Sequence, residues 1–442
     1  MGQTRTEGTR GEQAMKPGRP GVVVLSALLF FCILFSYYLL RPMRDELGIR
    51  GGVKELRWLW MATTGTMLVA APAFAWLVSV TRKRVFLPLT YHLFAGCMLA
   101  FCLLFVTAQD DAAEKSIGYV FYVWLSVMNL FVISVFWGFL ADVFDRESAK
   151  RWFGPIGVGG TLGAIAGASV PSTLVKGVAI GGLVLKIDPY LLFIPAALLL
   201  ELAVVIVMVI ERKTRAQEGS GANTHGGASD AHEPSPSPIE GFRLIAVSPY
   251  LQTMVVYMLL FTATSSLLYF EQARVIEAAF PEPDARTAAL ARIDLATNVL
   301  TLITQLFVTR QILRHLGVLT GLLVLPVLTL VGFGVLEFLP TFGALFVIVV
   351  LRRGLHYAVD RPTREVLYTI LGPDEKYKSK SFIDTFVYRA GDLAGAWIDG
   401  LKDAGGLIWI STGAACAWIG TAGVLSWLHG REARERGHVR ES

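Results

Sequence analysis

An all-α protein that lives in a lipid bilayer, with twelve membrane-crossing helices in two bundles of six, is the fold class this sequence predicts. Three observations carry it. Apolar segments recur at lengths too great for the helices of a soluble core. One polar break divides them six and six, and a short pattern repeats at one fixed offset in the two halves. Composition agrees: 54% of the 442 residues are hydrophobic and only 17% are charged, against about a quarter charged in a soluble domain.

About twenty helical residues, each rising about 1.5 Å, cross a hydrocarbon layer roughly 30 Å thick. That ruler marks spans at Gly21–Gly48, Leu56–Val80, Val85–Thr107, Ile117–Ala141, Pro155–Val175 and Tyr190–Ile210. After the break come Tyr250–Gln272, Ala288–Leu313, Val318–Phe338, Phe342–Asp360, Phe382–Leu401 and Leu407–Leu428. Residues 1–20 are polar and basic and read as a tail, because the stretch after them is longer than a signal-peptide core and ends in no small-residue cleavage site. The organisation expected is a tail (1–20), a bundle (21–210), a linker (211–248), a second bundle (249–429) and a second tail (430–442). The linker contains Gly-Ser-Gly and Pro-Ser-Pro-Ser-Pro runs that bury no apolar area, so it is expected to be disordered.

Net charge is +5. A basic balance can signal nucleic acid, but here Lys and Arg concentrate in alternate loops, which reads as membrane orientation instead. With the N-terminus inside, the inner segments carry about twice as many basic residues as the outer ones; Arg82-Lys83-Arg84 falls inside, and the uncharged loop around Pro340 outside. Both termini are then cytoplasmic. Cys32, Cys97, Cys102 and Cys416 all lie in apolar runs without CxxC spacing, so neither a metal site nor a disulfide framework is indicated.

The repeat pairs Asp145-Arg-Glu-Ser-Ala-Lys and Gly163-Ala-Ile-Ala-Gly-Ala with Pro373-Asp-Glu-Lys-Tyr-Lys and Gly391-Asp-Leu-Ala-Gly-Ala. Glu147 matches Glu375, Lys150 matches Lys378, Gly163 matches Gly391 and Gly167 matches Gly395, without gaps. Internal symmetry of this kind marks transporters assembled from two similar bundles. The run Gly157-Val-Gly159-Gly160-Thr-Leu-Gly163 invites a phosphate-loop reading, but no strand precedes it and no Gly-Lys-Ser or Gly-Lys-Thr closes it. Gly159, Gly163 and Gly167 stand four apart and clear one helix face for close packing.

Charged side chains inside the spans point to function, because each costs about 2.5–3.5 kcal/mol at a helix centre unless it faces a cavity or a partner. The tenth span carries Arg352, Arg353, His356 and Asp360 after only a short apolar run, with Arg364 beyond; Arg353, His356, Asp360 and Arg364 recur at helical spacing. They read as a cationic lining of a substrate path or as an inter-helix ion network. The first span ends in Arg41, Arg44 and Asp45, with Arg41 and Asp45 an i,i+4 pair, either within the membrane or snorkelling at its surface. The eleventh carries Asp384, Tyr388, Arg389 and Asp392, for which a salt bridge to the tenth span is the structural alternative. Asp294, Asn298, Thr301 and Gln305 line one face of the eighth, which helix packing explains as well as substrate contact does. Glu271 with Arg274 reads as a local pair; Glu201, Glu337 and Asn129 stand alone in apolar runs. No nucleophile elbow, metal-ligand or kinase pattern appears, so neither an enzyme nor a cofactor is indicated.

Twelve spans, a central linker and a six-plus-six repeat resemble the major facilitator superfamily, although the loop pattern after its second span is degenerate here (Ser79-Val-Thr-Arg82-Lys83-Arg84). More specific is the order of five motifs: Tyr37-Tyr38-Leu-Leu-Arg41-Pro-Met-Arg44-Asp45, Phe136-Trp137-Gly138-Phe139, Ala149-Lys150-Arg151-Trp152-Phe153, Pro362-Thr363-Arg364-Glu365, and Lys378-Ser-Lys380-Ser-Phe-Ile383-Asp384. Together they resemble the ATP:ADP antiporter family of plastids and intracellular bacteria. The resemblance implies a nucleotide or another phosphorylated anion as substrate, Arg44 as the family's basic residue near the end of the first helix, a bacterial inner membrane as location and a monomer as working unit. Two positions depart from the family's pattern. Ala141-Asp142 replaces Asn-Gln after the Trp-Gly-Phe stretch, and Asp392 replaces a Lys in the eleventh helix, which disfavours a polyphosphate at that point.

The leading expectation is therefore a secondary transporter in which Arg41, Arg44, Arg352, Arg353, His356 and Tyr388 hold an anion. Asp45, Asp360, Arg364, Asp384, Arg389 and Asp392 would pair charges or gate the movement. A proton-coupled carrier using Glu201, Glu337, Asp392 or His356 is the alternative within transport, and a membrane receptor or scaffold is the alternative outside it.

Overall fold

The computed structural model describes residues 20–80, 83–180, 183–218, 238–307, 317–401 and 407–437. Helices α1 (Pro20–Ile49), α2 (Gly52–Val80), α3 (Lys83–Thr107), α4 (Asp111–Val143), α5 (Arg146–Leu174) and α6 (Phe193–Glu218) form the first bundle. After α7 (Pro238–Val247), the second bundle contains α8 (Pro249–Ala279), α9 (Pro283–Phe307) and α10 (Gly317–Phe338). The tenth span is α11 (Phe342–Leu355), a π turn (His356–Asp360) and α12 (Arg361–Leu367). The eleventh is α13 (Pro373–Phe382), a π turn (Ile383–Val387) and α14 (Tyr388–Gly400); α15 (Leu407–Glu435) is the twelfth. Among the described residues, eight helices are long and apolar enough to cross a membrane. Of the other four spans, α9 carries Arg286, Arg292 and Asp294, and the eleventh carries Asp384, Arg389, Asp392 and Asp399, which lowers their hydropathy.

Helix starts follow local chemistry. The side chains of Asp110, Asp145, Ser248 and Thr341 accept from backbone N–H groups in the first turns of α4, α5, α8 and α11, which would otherwise have no partner. Helix contacts follow the glycines. A Cβ on Gly163 would sit 2.8 Å from the Phe31 Cα, and one on Gly167 2.6 Å from the Phe35 carbonyl oxygen, so α5 lies directly on the α1 backbone. The repeat reappears as structure: a Cβ on Gly395 would lie 2.6 Å from the Ala263 carbonyl oxygen, making α14 on α8 the counterpart of α5 on α1.

Each bundle has its own apolar core, built around Leu29, Phe121, Phe136 and Phe193 in the first and Tyr257, Leu322, Leu325 and Trp418 in the second. A third core belongs to both. Ile49, Leu56 and Tyr122 pack with Leu267, Phe270, Ile276, Leu290, Ile293 and Leu345 at the face away from Pro20 and Glu435, here called the far face. Ion pairs between the bundles reinforce it: Arg286 to Glu46 at 2.9 Å, Lys186 to Asp284 at 2.7 Å and Arg57 to Asp399 at 4.0 Å. The bundles are thus closed against each other at the far face.

Several elements differ from the sequence reading. Two stretches of the expected disordered linker are helical, because α6 continues to Glu218 and α7 occupies Pro238–Val247; residues 219–237 lie outside the described residues. α7 docks on α13, with Glu240 to Lys378 at 2.9 Å. The tail expected from 430 begins as the end of α15, and Arg436 returns to Glu375 at 2.8 Å. An antiparallel hairpin, β1 (Val178–Ile180) with β2 (Leu183–Leu185), joins α5 to α6 and was not anticipated. The ends of the eighth span (308–313), the start of the twelfth span's loop (402–406) and Arg82 of the basic loop lie outside the described residues. Glu201 is half-exposed on the outer wall of the first bundle, 2.8 Å from His92, and Glu337 is exposed at the end of α10, so neither borders the space between the bundles.

Candidate functional site

Between the bundles lies a cavity of about 780 Å³. Its wall combines the later turns of α1 and the middle of α2 and α4 with α8, the tenth span and the eleventh. Of the twelve predicted site residues, Arg41, Arg44, Asp45, Arg352, Arg353, His356, Arg364, Asp384, Tyr388, Arg389 and Asp392 line it, and Asp360 lies fully buried directly behind His356.

Arg352 is only 5% exposed. Its Nε donates to Thr329 Oγ1 at 2.8 Å, and its Nη2 donates to Ser265 Oγ at 2.9 Å and Thr264 Oγ1 at 3.2 Å. The Phe261 and Trp418 rings approach its guanidinium at 5.7 and 6.0 Å. Among the described residues no carboxylate pairs with it, and its Nη1 has no hydrogen-bond partner. Neutral hydroxyls thus hold a buried cation in place without cancelling its charge.

Its neighbour Arg353 takes another direction, to Asp294 Oδ1 of α9 at 2.8 Å. The same oxygen is 3.2 Å from Arg41 Nη1 of the opposite bundle. One aspartate therefore answers two arginines across the bundle boundary. Its Oδ2 is buried without a hydrogen-bond partner. Arg41 was expected to pair with Asp45, one helical turn away; that separation is 4.0 Å, longer than the one to Asp294. The close partner of Asp45 is Arg44, at 2.5 Å, whose guanidinium also donates to Ser126 and lies over the Tyr122 ring of α4. Tyr269 of α8 donates to Asp45 at 3.2 Å and meets the Tyr122 hydroxyl at 3.0 Å, so this cluster also spans the bundles.

The expected single helical face of Arg353, His356, Asp360 and Arg364 is interrupted. The π turn at His356–Asp360 adds a residue to the turn, a feature often found at functional sites, and directs Asp360 inward. Asp360 accepts from Tyr257 at 2.8 Å and lies 3.0 Å from both His356 Nδ1 and Arg364 Nε, so its ion pair is with Arg364 and not with Arg352 or Arg353. A second π turn precedes Tyr388. Beyond it Arg389 reaches Asp392 at 3.2 Å, and Ser266 donates to Asp392 at 3.4 Å. The alternative of a salt bridge from the eleventh span to the tenth is not realised among Asp384, Arg389 and Asp392. Asp384 is exposed toward the near face, beside Lys380, which pairs with Glu365 at 2.7 Å. Glu271 does pair with Arg274, at 3.0 Å, and Arg274 also holds Asp399 at 2.6 Å.

Sequence reasoning missed the bridging position of Asp294 and the aromatic group Tyr37, Trp60, Tyr122 and Tyr269 on the wall. The polar face of the eighth span was a usable signal for Asp294. Tyr37 stands in the first-helix motif, but nothing in the sequence distinguished Trp60, Tyr122 and Tyr269 from ordinary core residues.

Comparisons with known proteins agree with this architecture. The family model described as TLC ATP/ADP transporter matches residues 114–342, just over half of the chain. ADP,ATP carrier protein 1 of Chlamydia trachomatis (serovar D) is 23% identical over 435 residues, covering 84% of this chain and 80% of that protein. The chloroplastic ADP,ATP carrier protein 2 of Arabidopsis thaliana is 21% identical, covering 90% and 72%. Among solved structures, a peptide transporter POT in complex with alafosfalin superposes with a TM-score of 0.63 at 14% identity, over 96% of this chain and 97% of that one. The nucleoside transporter NupG gives 0.56 at 13% identity, over 93% and 98%. The inward-facing bacterial homolog of the human lysosomal transporter Spinster gives 0.56 at 12% identity, over 97% and 99%. At these identities the structural likeness shows the fold alone, two bundles of membrane helices around a central cavity.

Proposed function

The chain belongs to the TLC ATP/ADP transporter family, and from that premise we propose that it carries an anionic, nucleotide-like or phosphorylated solute across the membrane by alternating access, as an exchanger. The relatives are ADP,ATP carriers by name, and exchange of two such nucleotides is the form of transport they suggest. The observation that carries the reading is Arg352, a buried cation on the cavity wall without a carboxylate among the described residues. Its planar fork suits a phosphate, which accepts two parallel hydrogen bonds.

Arg41, Arg44 and Arg353 complete the anion site from both bundles, and Tyr388 borders it. An arriving anion competes with Asp294 for Arg41 and Arg353. The tie between the bundles then passes from a protein carboxylate to the solute, which couples occupancy to rocking. Far-face closure supports an inward-open state, with the near face cytoplasmic by the excess of Lys and Arg on that side, in the inner membrane of a bacterium. Each chain encloses a whole cavity, which supports a monomer as the working unit.

Proteoliposomes loaded with unlabelled ADP are expected to take up labelled ATP faster than empty ones, and Arg353→Ala to lower that rate at least about tenfold, the worth of one charge-assisted contact. An unchanged rate in Arg353→Ala would remove this arginine from the site. Proton coupling is a second reading, favoured by the placement of Asp392 and His356 on the wall. It requires uptake into empty vesicles driven by a pH gradient alone.

A further inference from the structure

We propose that the site takes a dianionic phosphomonoester, of the nucleoside monophosphate class, in preference to a di- or triphosphate. This rests on the phosphorylated-anion reading above and follows from the charge balance of the cavity.

Deep in the cavity Arg44 is matched by Asp45 and Arg389 by Asp392. Arg41 and Arg353 share the single charge of Asp294, and Arg352 has no carboxylate among the described residues. Two positive charges are left over. Toward the near face the account closes without surplus. Arg364 faces Asp360, Lys380 faces Glu365, and Arg361 and Asp384 are the remaining opposite pair of charges on the wall. Moving the boundary between the deep and outer parts changes nothing, because the wall together with the buried Asp294 and Asp360 behind it keeps the same surplus of two.

A phosphomonoester carries about −1.5 to −2 at neutral pH. It would cancel that surplus. Each further phosphoryl group adds charge that these residues do not answer, in a cavity walled by protein and shut at the far face, where an unbalanced charge is costly. Size does not discriminate, because about 780 Å³ has room for a longer phosphate chain. An aromatic ring on the solute has a place to rest: Trp60 lies 4.7 Å from Tyr269, and both border the cavity beside Arg44 and Asp45.

The test is thermal stabilisation of the purified full-length protein by AMP, ADP, ATP, inorganic phosphate and adenosine, each magnesium-free and at matched ionic strength. AMP should stabilise most, ADP and ATP progressively less, and adenosine least. Asp392→Asn raises the surplus by one, and should improve ADP relative to AMP about tenfold. ADP or ATP binding more tightly than AMP in the unmodified protein would overturn the charge inference and leave the phosphorylated-anion reading standing. Absence of a shift with every phosphorylated compound would overturn both. Should Asp392→Asn fail to purify, the unmodified series decides alone.

Discussion

Replacing Arg352 with glutamine is expected to lower exchange at least about a hundredfold and, at the same time, to leave the empty protein as stable or more stable. The two halves of that expectation have one cause. Thr329, Thr264 and Ser265 hold the guanidinium in a site only 5% exposed, yet supply no negative charge among the described residues. Burying an uncompensated cation costs several kcal/mol. Glutamine keeps polar contacts with the hydroxyls and removes that cost. A bound anion, by contrast, loses charge-assisted hydrogen bonds worth about 1.5–3 kcal/mol apiece, and a phosphate can make more than one. Melting temperature with and without ligand, measured beside transport, separates the possibilities. A structural arginine would show the opposite pattern: a destabilised empty protein with exchange intact.

Gly163→Val is expected to yield no folded protein. A Cβ at this position would meet the Phe31 backbone, its Cα at 2.8 Å, and backbone cannot rotate aside as a side chain can. The two helices would have to separate along the whole contact that Gly159, Gly163 and Gly167 create. Ordinary overpacking costs about 1–3 kcal/mol, and a clash with backbone at a helix crossing should exceed about 4 kcal/mol. Gly138→Ala is the matched control, since nothing lies within 4 Å of the Cβ it would add. Recovery of monodisperse protein after detergent extraction reads the difference. A normal yield of Gly163→Val would mean that α1 and α5 do not pack as described.

Much of the fold was legible because lipid imposes a simple rule. Every backbone polar group must be satisfied within its own helix, so an apolar run of sufficient length has one outcome. The glycine register was legible for a similar reason, since only the absence of a side chain allows backbones this close. Partners of the charged residues were not. Spacing along a helix finds the i,i+4 neighbour, and by that rule Arg41 belonged to Asp45. The bond to Asp294 depends on how α1 meets α9 across the bundle boundary, which no local pattern encodes. The π turns were equally hidden: one extra residue in the turn at His356–Asp360 changes which way Asp360 faces while the sequence still reads as a continuous helix. α7 was lost among Pro and Ser residues because its helix is short and its stability comes from docking on α13.

The apolar core shared by the bundles at the far face makes the carrier sensitive to temperature. Ile49, Leu56, Phe270, Leu290 and Leu345 are dry while that face is shut, and opening it would bring such side chains into contact with water. Hydration of apolar surface raises heat capacity, and the tendency to avoid it weakens on cooling. Cold should therefore enlarge the share of molecules open at the far face. The rates at which a thiol reagent labels a cysteine introduced at Leu56 or Leu290, in a protein whose Cys32, Cys97, Cys102 and Cys416 are replaced by alanine, would register the shift at two temperatures.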